Sequence, residues 1–310
     1  MIRLTVSDFE RDVDAYDTVV RESHGIDRFC SSSDWVLAAR DAWAPGAPTF
    51  LARGAHGYAA FVRRTEQSGA QLLMGFDTEW GFASPLVGHD GIARELAAAV
   101  EGEPWHAILL PGLLPGARLM RAVVAAFRRH QVRLGPTLTR WVASLDNGLD
   151  GYLARRDGKL RSNVRRAAKR ARAEGITFET KGSLERALAV ERRSWKGAAG
   201  TGLLVPEMRA FYEALLARLG DRARMVFARR DGEDVGYILG GVRDGTYRGF
   251  QFSYDERFAH VSLGSLLQVE QIAALAAEGI ATYDMGIDLP YKRRWADGAV
   301  DTVTLAVVRG

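Results

Sequence analysis

Asp284, Asp288, Tyr291 and Lys292 lie close together in the run YDMGIDLPYKRRW, residues 283–295. Those residue types can do proton and charge chemistry. A carboxylate such as Asp284 or Asp288 can take a proton from a nucleophile, directly or through water. Lys292 can neutralise a developing oxyanion or a phosphate. The bland alternative is an Asp–Lys surface pair that ties down a loop and contributes little.

A second stretch, HVSLGSLL at 260–267, has the composition of an anion-binding turn. Ser262 can cap a following helix, and Gly264 lets its backbone come close to a ligand. The first N–H groups of that helix, Leu263 to Ser265, would point at an anion with the helix dipole behind them. A well-capped core helix would look the same. A third stretch, Arg155–Arg172, carries nine basic residues and one acidic residue, a net +8 in a chain whose total is +4. The remaining residues therefore sum to −4. A charge run is ordinarily a solvated face, yet this one has few acidic partners of its own at i±4. Arg161 and Arg165 share a helical face with Lys169 and are the candidates to meet an anion. No aromatic residue is interleaved for base stacking, which disfavours sequence reading of RNA.

KGAAGTG, residues 196–202, is glycine-rich but follows a helix and lacks the G-x-x-x-x-G-K-[S/T] spacing of a P-loop. It reads as a flexible loop, with Trp195 and Lys196 before it able to contact a substrate. A Trp closing a helix end is the structural alternative. The six histidines are scattered and form no HExxH, and with the single Cys30 no zinc cluster is expected. Neither Cys30 nor Ser84 has a recognisable nucleophile context. His260 precedes the proposed anion turn.

Helices and strands must position these groups. Leu160, Val164, Ala167 and Ala171 form one narrow apolar stripe, so the basic segment is a helix, ended by Gly175. Three β-type runs, RMVFARR, DVGYILGGVR and TYRGFQFSY, are separated by Asp-Gly at 231–232 and 244–245, the signature of tight hairpins. A loop, DERFAHV, then leads into the helix SLGSLLQVEQIAALAAEG, the strand TYDMGI and a last strand, TVTLAVV. The first half repeats the outline: helices over 8–23 and 31–43, a meander of PTFLARG, HGYAAFVRR and AQLLMGF, a helix near Ile92–Val100, the strand WHAILL, a helix and the strand RWVASL. The boundary is expected at DNGLDG, residues 146–151.

With 47% hydrophobic and 26% charged residues, 310 residues are enough for two ordinary globular domains. One cysteine suits a reducing compartment, and the first residues carry no apolar run of signal-peptide type, so a cytoplasmic location is expected. No window approaches the length of a membrane span.

Four pieces, KLRSNVRRAAKRARAEG, SWKGAAGTGL, YDERFAHVSLGSLL and YDMGIDLPYKRRW, occur in an order and spacing that resembles the GNAT acyltransferases. Residues 152–295 look most like the CelD-like branch and the related Fem-type aminoacyl transferases. The first 150 residues match mainly through SPLVG. The usual Arg/Gln-x-x-Gly-x-Gly/Ala pattern is incomplete at 260–267. The resemblance implies an α/β (α+β) fold of tandem GNAT-like domains, 1–147 degenerate and 148–310 with the donor site. Each would be a mixed, mostly antiparallel sheet flanked by helices. It implies a biosynthetic N-acyltransferase that uses acyl-CoA, without a metal, by direct attack of an amine on a small molecule such as an amino acid, amino sugar or natural-product intermediate. Asp284, Asp288, Tyr291 and Lys292 would then be catalytic. Ser262, Leu263, Gly264 and Ser265, with Arg161 and Arg165, would hold the donor, and Trp195, Lys196 and Tyr254 would contact the substrate. Two alternatives follow: an aminoacyl-tRNA-dependent, Fem-like amide-forming transferase, and a non-catalytic GNAT-like scaffold that binds a polyanion.

Overall fold

The computed structural model describes all 310 residues. Two compact units divide the chain: Met1–Thr139 with Asp301–Gly310, and Arg140–Val300. The expected boundary at 147/148 thus lies eight residues into the second unit, and the last ten residues belong to the first.

The first unit holds strands β1 (Ile2–Leu4), β2 (Thr49–Arg53), β3 (Gly57–Thr65), β4 (Gln71–Met74), β5 (Leu86–Gly88) and β6 (Ala107–Leu113). Its helices are α1 (Val6–Arg11), α2 (Val13–Glu22), α3 (Ser33–Trp43), α4 (Ile92–Val100) and α5 (Arg118–Ala126). One amphipathic helix was expected over 8–23. Two form, because Asp12 both ends α1 and opens α2. β2, β3 and β4 are an antiparallel meander, and β4 pairs in parallel with β6. Val303–Val308 of β13 (Gly298–Val308) then pair antiparallel with β6.

The second unit repeats that plan. Its elements are α6 (Gly148–Ala154), α7 (Gly158–Ala173), β8 (Thr177–Glu179), α8 (Leu184–Glu191), α9 (Trp195–Ala198), α10 (Pro206–Leu219), β9 (Ala223–Arg230), β10 (Glu233–Arg243), β11 (Thr246–Tyr254), α11 (Leu263–Ala277) and β12 (Thr282–Ile287). β9, β10 and β11 are the meander, and β11 pairs in parallel with β12. The last residues of β7 (Gln131–Ser144) close this sheet, antiparallel to β12. Each unit is therefore a mixed, mostly antiparallel sheet flanked by helices, with its parallel pair formed across the helix that follows the meander.

Local chemistry explains the elements nearest the site. Asp231-Gly232 and Asp244-Gly245 sit at φ 50° and 83°, and 47° and 73°, the left-handed pairs that tight hairpins need. Asp157 caps α7 by accepting from the Leu160 N–H at 2.6 Å. Leu160, Val164, Ala167 and Ala171 are buried as the stripe requires, and Gly175 at φ 67° follows the helix end. α11 and α7 cover one face of β9–β11, where Ile238, Leu263, Leu266 and Ala167 share a core. α8 packs against β10 and β11 on the other face. No helix is long and apolar enough to cross a membrane.

Candidate active site

The site begins where two strands part. β11 and β12 pair only at Thr246–Arg248 and Thr282–Asp284. Beyond them the Asp284 carboxylate accepts the Gly286 N–H at 2.9 Å, and Gly286 takes a left-handed φ of 72°. That tight turn carries β12 off the ladder. β11 continues to Tyr254, so its edge beyond Arg248 has no partner strand on that side. The edge is also re-aimed. Leu239 pairs with Gln251 and Gly240 with Gly249, which leaves Phe250 as a bulge. Beyond the bulge the side chains alternate between faces: Phe252 and Tyr254 pack toward α11, while Gln251 reaches Tyr212 of α10.

On the α11 side lies a pocket of about 330 Å³. Ser262, Gly264 and Ser265 form one wall, Phe252 and Tyr254 the floor, and Tyr291, Arg294 and Trp295 the far wall. Ser262 is not the side-chain cap expected of it. It sits in the left-handed region (φ 67°, ψ 45°) and its hydroxyl accepts from Arg170 at 3.0 Å. The start of α11 is thereby left without a side-chain cap. Gly264 sits in a tight spot: a Cβ there would lie 3.0 Å from the Phe252 ring. The Arg170 Nε is buried without a hydrogen-bond partner beside this turn. Arg294 lines the same pocket and pairs with Asp157 at 3.1 Å.

Two lysines stand near the opening, Lys196 half-buried and Lys292 buried. Lys196 donates to the Gln251 side chain at 2.6 Å and to the Phe252 carbonyl on the open edge at 3.0 Å. Burial lowers its pKa, with Glu191 opposing the shift. Lys292 is 8% exposed and donates to the Ile287 carbonyl at 2.7 Å. Burial pushes its pKa down to about 8; Asp284 and Asp288 oppose the shift, and Arg248 and Lys196 add to it. A buried ammonium so poised, beside a strand opening, is the pattern of a functional group rather than a structural pair.

The structure brings Ser262, Gly264, Ser265, Tyr254 and Tyr291 together around one pocket. It does not bring Arg161 or Arg165 to that pocket. Arg161 caps the end of α6 by donating to the carbonyls of Ala154 and Arg156, and Arg165 is exposed. Arg170, one turn further along α7, holds the turn instead. Asp284 is buried between two guanidiniums, bonded to Arg140 and at 3.1 Å from Arg248, so its charge is already engaged. Asp288 is exposed and accepts from the Trp141 indole at 2.5 Å. Trp195 is 53% exposed and opens α9 rather than closing a core.

Glu191, Tyr237 and Gln251 carried no obvious motif. Glu191 had a signal nonetheless: it falls at i+7 on the Leu184–Ala187–Leu188 stripe of α8, a carboxylate where an apolar residue belongs. Of the groups expected to lack a nucleophilic role, Cys30 is fully buried and the Ser84 hydroxyl donates to the Leu86 carbonyl. The first unit has its own pocket, about 620 Å³, beside Gly88–Gly91 and Gly116–Arg118. None of the expected site residues lines it.

Comparison with known proteins accords with this geometry. Residues 158–293 match the family model described as an Acetyltransferase (GNAT) domain. No curated protein sequence matches. Among solved structures, FemX superposes with a TM-score of 0.67 at 13% identity, over 97% of each chain. A conserved protein of unknown function from Bacteroides thetaiotaomicron gives 0.66 at 11%, over 96% of this chain and 97% of that one. The C-terminal domain of a putative lysylphosphatidylglycerol synthetase from Agrobacterium fabrum gives 0.58 at 14%, over 97% and 92%. At such identities the likeness is one of fold.

Proposed function

Residues 158–293 belong to the GNAT acetyltransferase family, and from that premise we propose that the protein is an N-acyltransferase. In this reading it moves an acyl group from acyl-coenzyme A to an amine of a small molecule, such as an amino acid, an amino sugar or a natural-product intermediate. One observation carries the reading: the gap between β11 and β12 opens beside the uncapped turn at Ser262.

The donor's pyrophosphate would meet the first N–H groups of α11, at Leu263 and Gly264, with Arg170 beside them. Its amide-bearing arm would lie along the free edge of β11, whose backbone groups need partners. The thioester carbonyl would then sit at the mouth of the gap. The acceptor amine attacks that carbonyl directly, a tetrahedral oxyanion forms, and the thiolate leaves with the electron pair of the broken C–S bond. Lys292, mostly protonated below its pKa of about 8, supplies positive charge to the oxyanion. Asp288, exposed at the mouth, receives the ammonium proton through water. Asp284 acts differently: engaged by Arg140 and Arg248, it sets the local charge. Tyr291 and Tyr254 line the donor pocket, and Trp195 and Lys196 border the acceptor.

Calorimetric titration with acetyl-CoA and longer acyl-CoAs tests the donor. Binding is expected, and Arg170→Ala should weaken it about tenfold, the effect of one lost charge-assisted hydrogen bond. No heat with any acyl-CoA would remove the reading.

A second reading has its own observation. Arg165, Lys169 and Arg172 lie at i, i+4 and i+7 of α7, exposed and without carboxylate partners. Such a stripe suits a nucleic-acid backbone, and FemX shares the fold. An aminoacyl-tRNA donor would show as co-purifying RNA, as binding that falls steeply with salt, and as activity lost on ribonuclease treatment. A non-catalytic polyanion scaffold would instead keep its biological activity in Lys292→Ala and Asp288→Ala.

A further inference from the structure

Glu191 is a carboxylate with no exposed surface at the end of α8. Both of its oxygens are used. Oε1 accepts the Leu203 N–H at 3.0 Å, and Oε2 accepts the Tyr237 hydroxyl of β10 at 2.8 Å. The chain between Trp195 and Leu204 folds back over it. A Cβ on Gly202 would lie 2.2 Å from Oε1, and one on Gly197 would lie 2.5 Å from the Glu191 carbonyl. Those glycines are the only residue type that permits so close an approach. The Glu191 carbonyl also accepts the Ser194 hydroxyl at 2.8 Å, and that hydroxyl caps α9 by accepting the Lys196 N–H at 3.2 Å. The loop leaves residue 191 by one end and is fastened to it again at the other.

Between the two fastenings stands Lys196, whose ammonium reaches the Phe252 carbonyl on the free edge of β11. We propose that Glu191 is a positioning residue: its buried carboxylate clamps the Trp195–Leu204 loop and so delivers Lys196 to the open edge of β11, where donor and acceptor would meet. Placing the reactants at that edge rests on the acyltransferase reading; the clamp does not.

The geometry separates two contributions. The hydrogen bonds fasten the loop, and the negative charge supports the ammonium of Lys196 against burial. The groups facing Lys196 are Glu191 from α8, Gln251 and Phe252 from β11, and Lys292 from the segment after β12. Glu191 is the carboxylate among them. Glu191→Gln keeps the shape and can still accept from Leu203 while removing the charge. Glu191→Ala removes both.

Two measurements on the full chain test this without any assay of transfer. Limited trypsin digestion reads opening of the loop through cleavage after Lys196. Competitive amine labelling against pH reads the titration of Lys196. Glu191→Gln should leave cleavage within about threefold of the parent, since the loop stays fastened. It should also move the Lys196 titration down by about one pH unit. Glu191→Ala should speed cleavage after Lys196 by about tenfold or more. An unchanged Lys196 titration in Glu191→Gln overturns the proposal, as does parental cleavage in Glu191→Ala. If Glu191→Ala does not fold, the labelling of Glu191→Gln decides alone. Should both measurements come out as expected while no acyl-CoA binds, the clamp stands and the transferase reading fails.

Discussion

Lys292→Met is expected to melt several degrees higher than the parent at pH 7 and to transfer almost no acyl group. The stability gain follows from burial. A lysine whose pKa is pushed from 10.5 down to about 8 is held against its preference for charge in water. At about 1.4 kcal/mol per unit, the cost of keeping it protonated is on the order of 3 kcal/mol. Part of this returns through the bond to Ile287, so a net gain of about 1–3 kcal/mol is expected, or a few degrees. The sign with pH is definite. The folded pKa lies below the unfolded one, so the unfolded chain binds more protons between pH 8 and 10.5. Stability attributable to Lys292 therefore rises across that window, and the penalty is complete below pH 8. The advantage of Lys292→Met should shrink toward zero by about pH 10. Transfer should fall by about 10²–10³-fold, the usual effect of losing a charge aimed at an oxyanion. Melting curves of both proteins at pH 7 and pH 10 check the first half. Equal stability at both pH values would show that Lys292 is not held as described.

The second large effect is at Asp284. Its carboxylate sits between Arg140 and Arg248, all three buried, and it also holds the Gly286 N–H that bends β12 away. Asp284→Ala removes the carboxylate that both guanidiniums share. Breaking a buried ion network by removing one member costs about 3–5 kcal/mol, a large share of the stability of a domain this size. Loss of soluble protein, or a melting point lower by about ten degrees or more, is the expected result. Two roles for this residue diverge here. If Asp284 served only to accept a proton, Asp284→Asn would fold like the parent and lose turnover alone. On the ion-network account Asp284→Asn is also destabilised, and acyl-CoA binding suffers because the gap between the strands changes shape. Circular dichroism melts of the two variants discriminate.

How far these features were legible depends on how local their causes are. The Asp-Gly hairpins, the apolar stripe of α7 and the strand TYDMGI needed nothing beyond neighbouring residues, and they formed where expected. The boundaries of β7 were not local. Only RWVASL was expected to be a strand, yet the strand runs from Gln131 to Ser144, straight through Gly135 and Pro136. Its partners come from elsewhere in the chain and override the local signal. The basic helix shows a different limit. Periodicity placed Arg161, Arg165 and Lys169 on one face, but which face meets the Ser262 turn depends on how α7 is rotated over the sheet. Arg170 takes that position, and Arg161 is drawn to the free carbonyls at the end of α6. Ser262 was expected to cap through its hydroxyl; the left-handed backbone turns that oxygen toward Arg170 instead. Glu191 could have been found, because a charged residue on an apolar stripe must be explained by a partner.

The return of the last ten residues to the first unit has a consequence for making the protein in pieces. A gene cut at codon 147 would yield an amino-terminal fragment lacking the segment that covers β6, leaving a raw sheet border prone to sticking. Its carboxy-terminal companion would lack Arg140, the counter-ion of Asp284. Neither half should be recoverable alone, whereas the two produced together in one cell could complement each other.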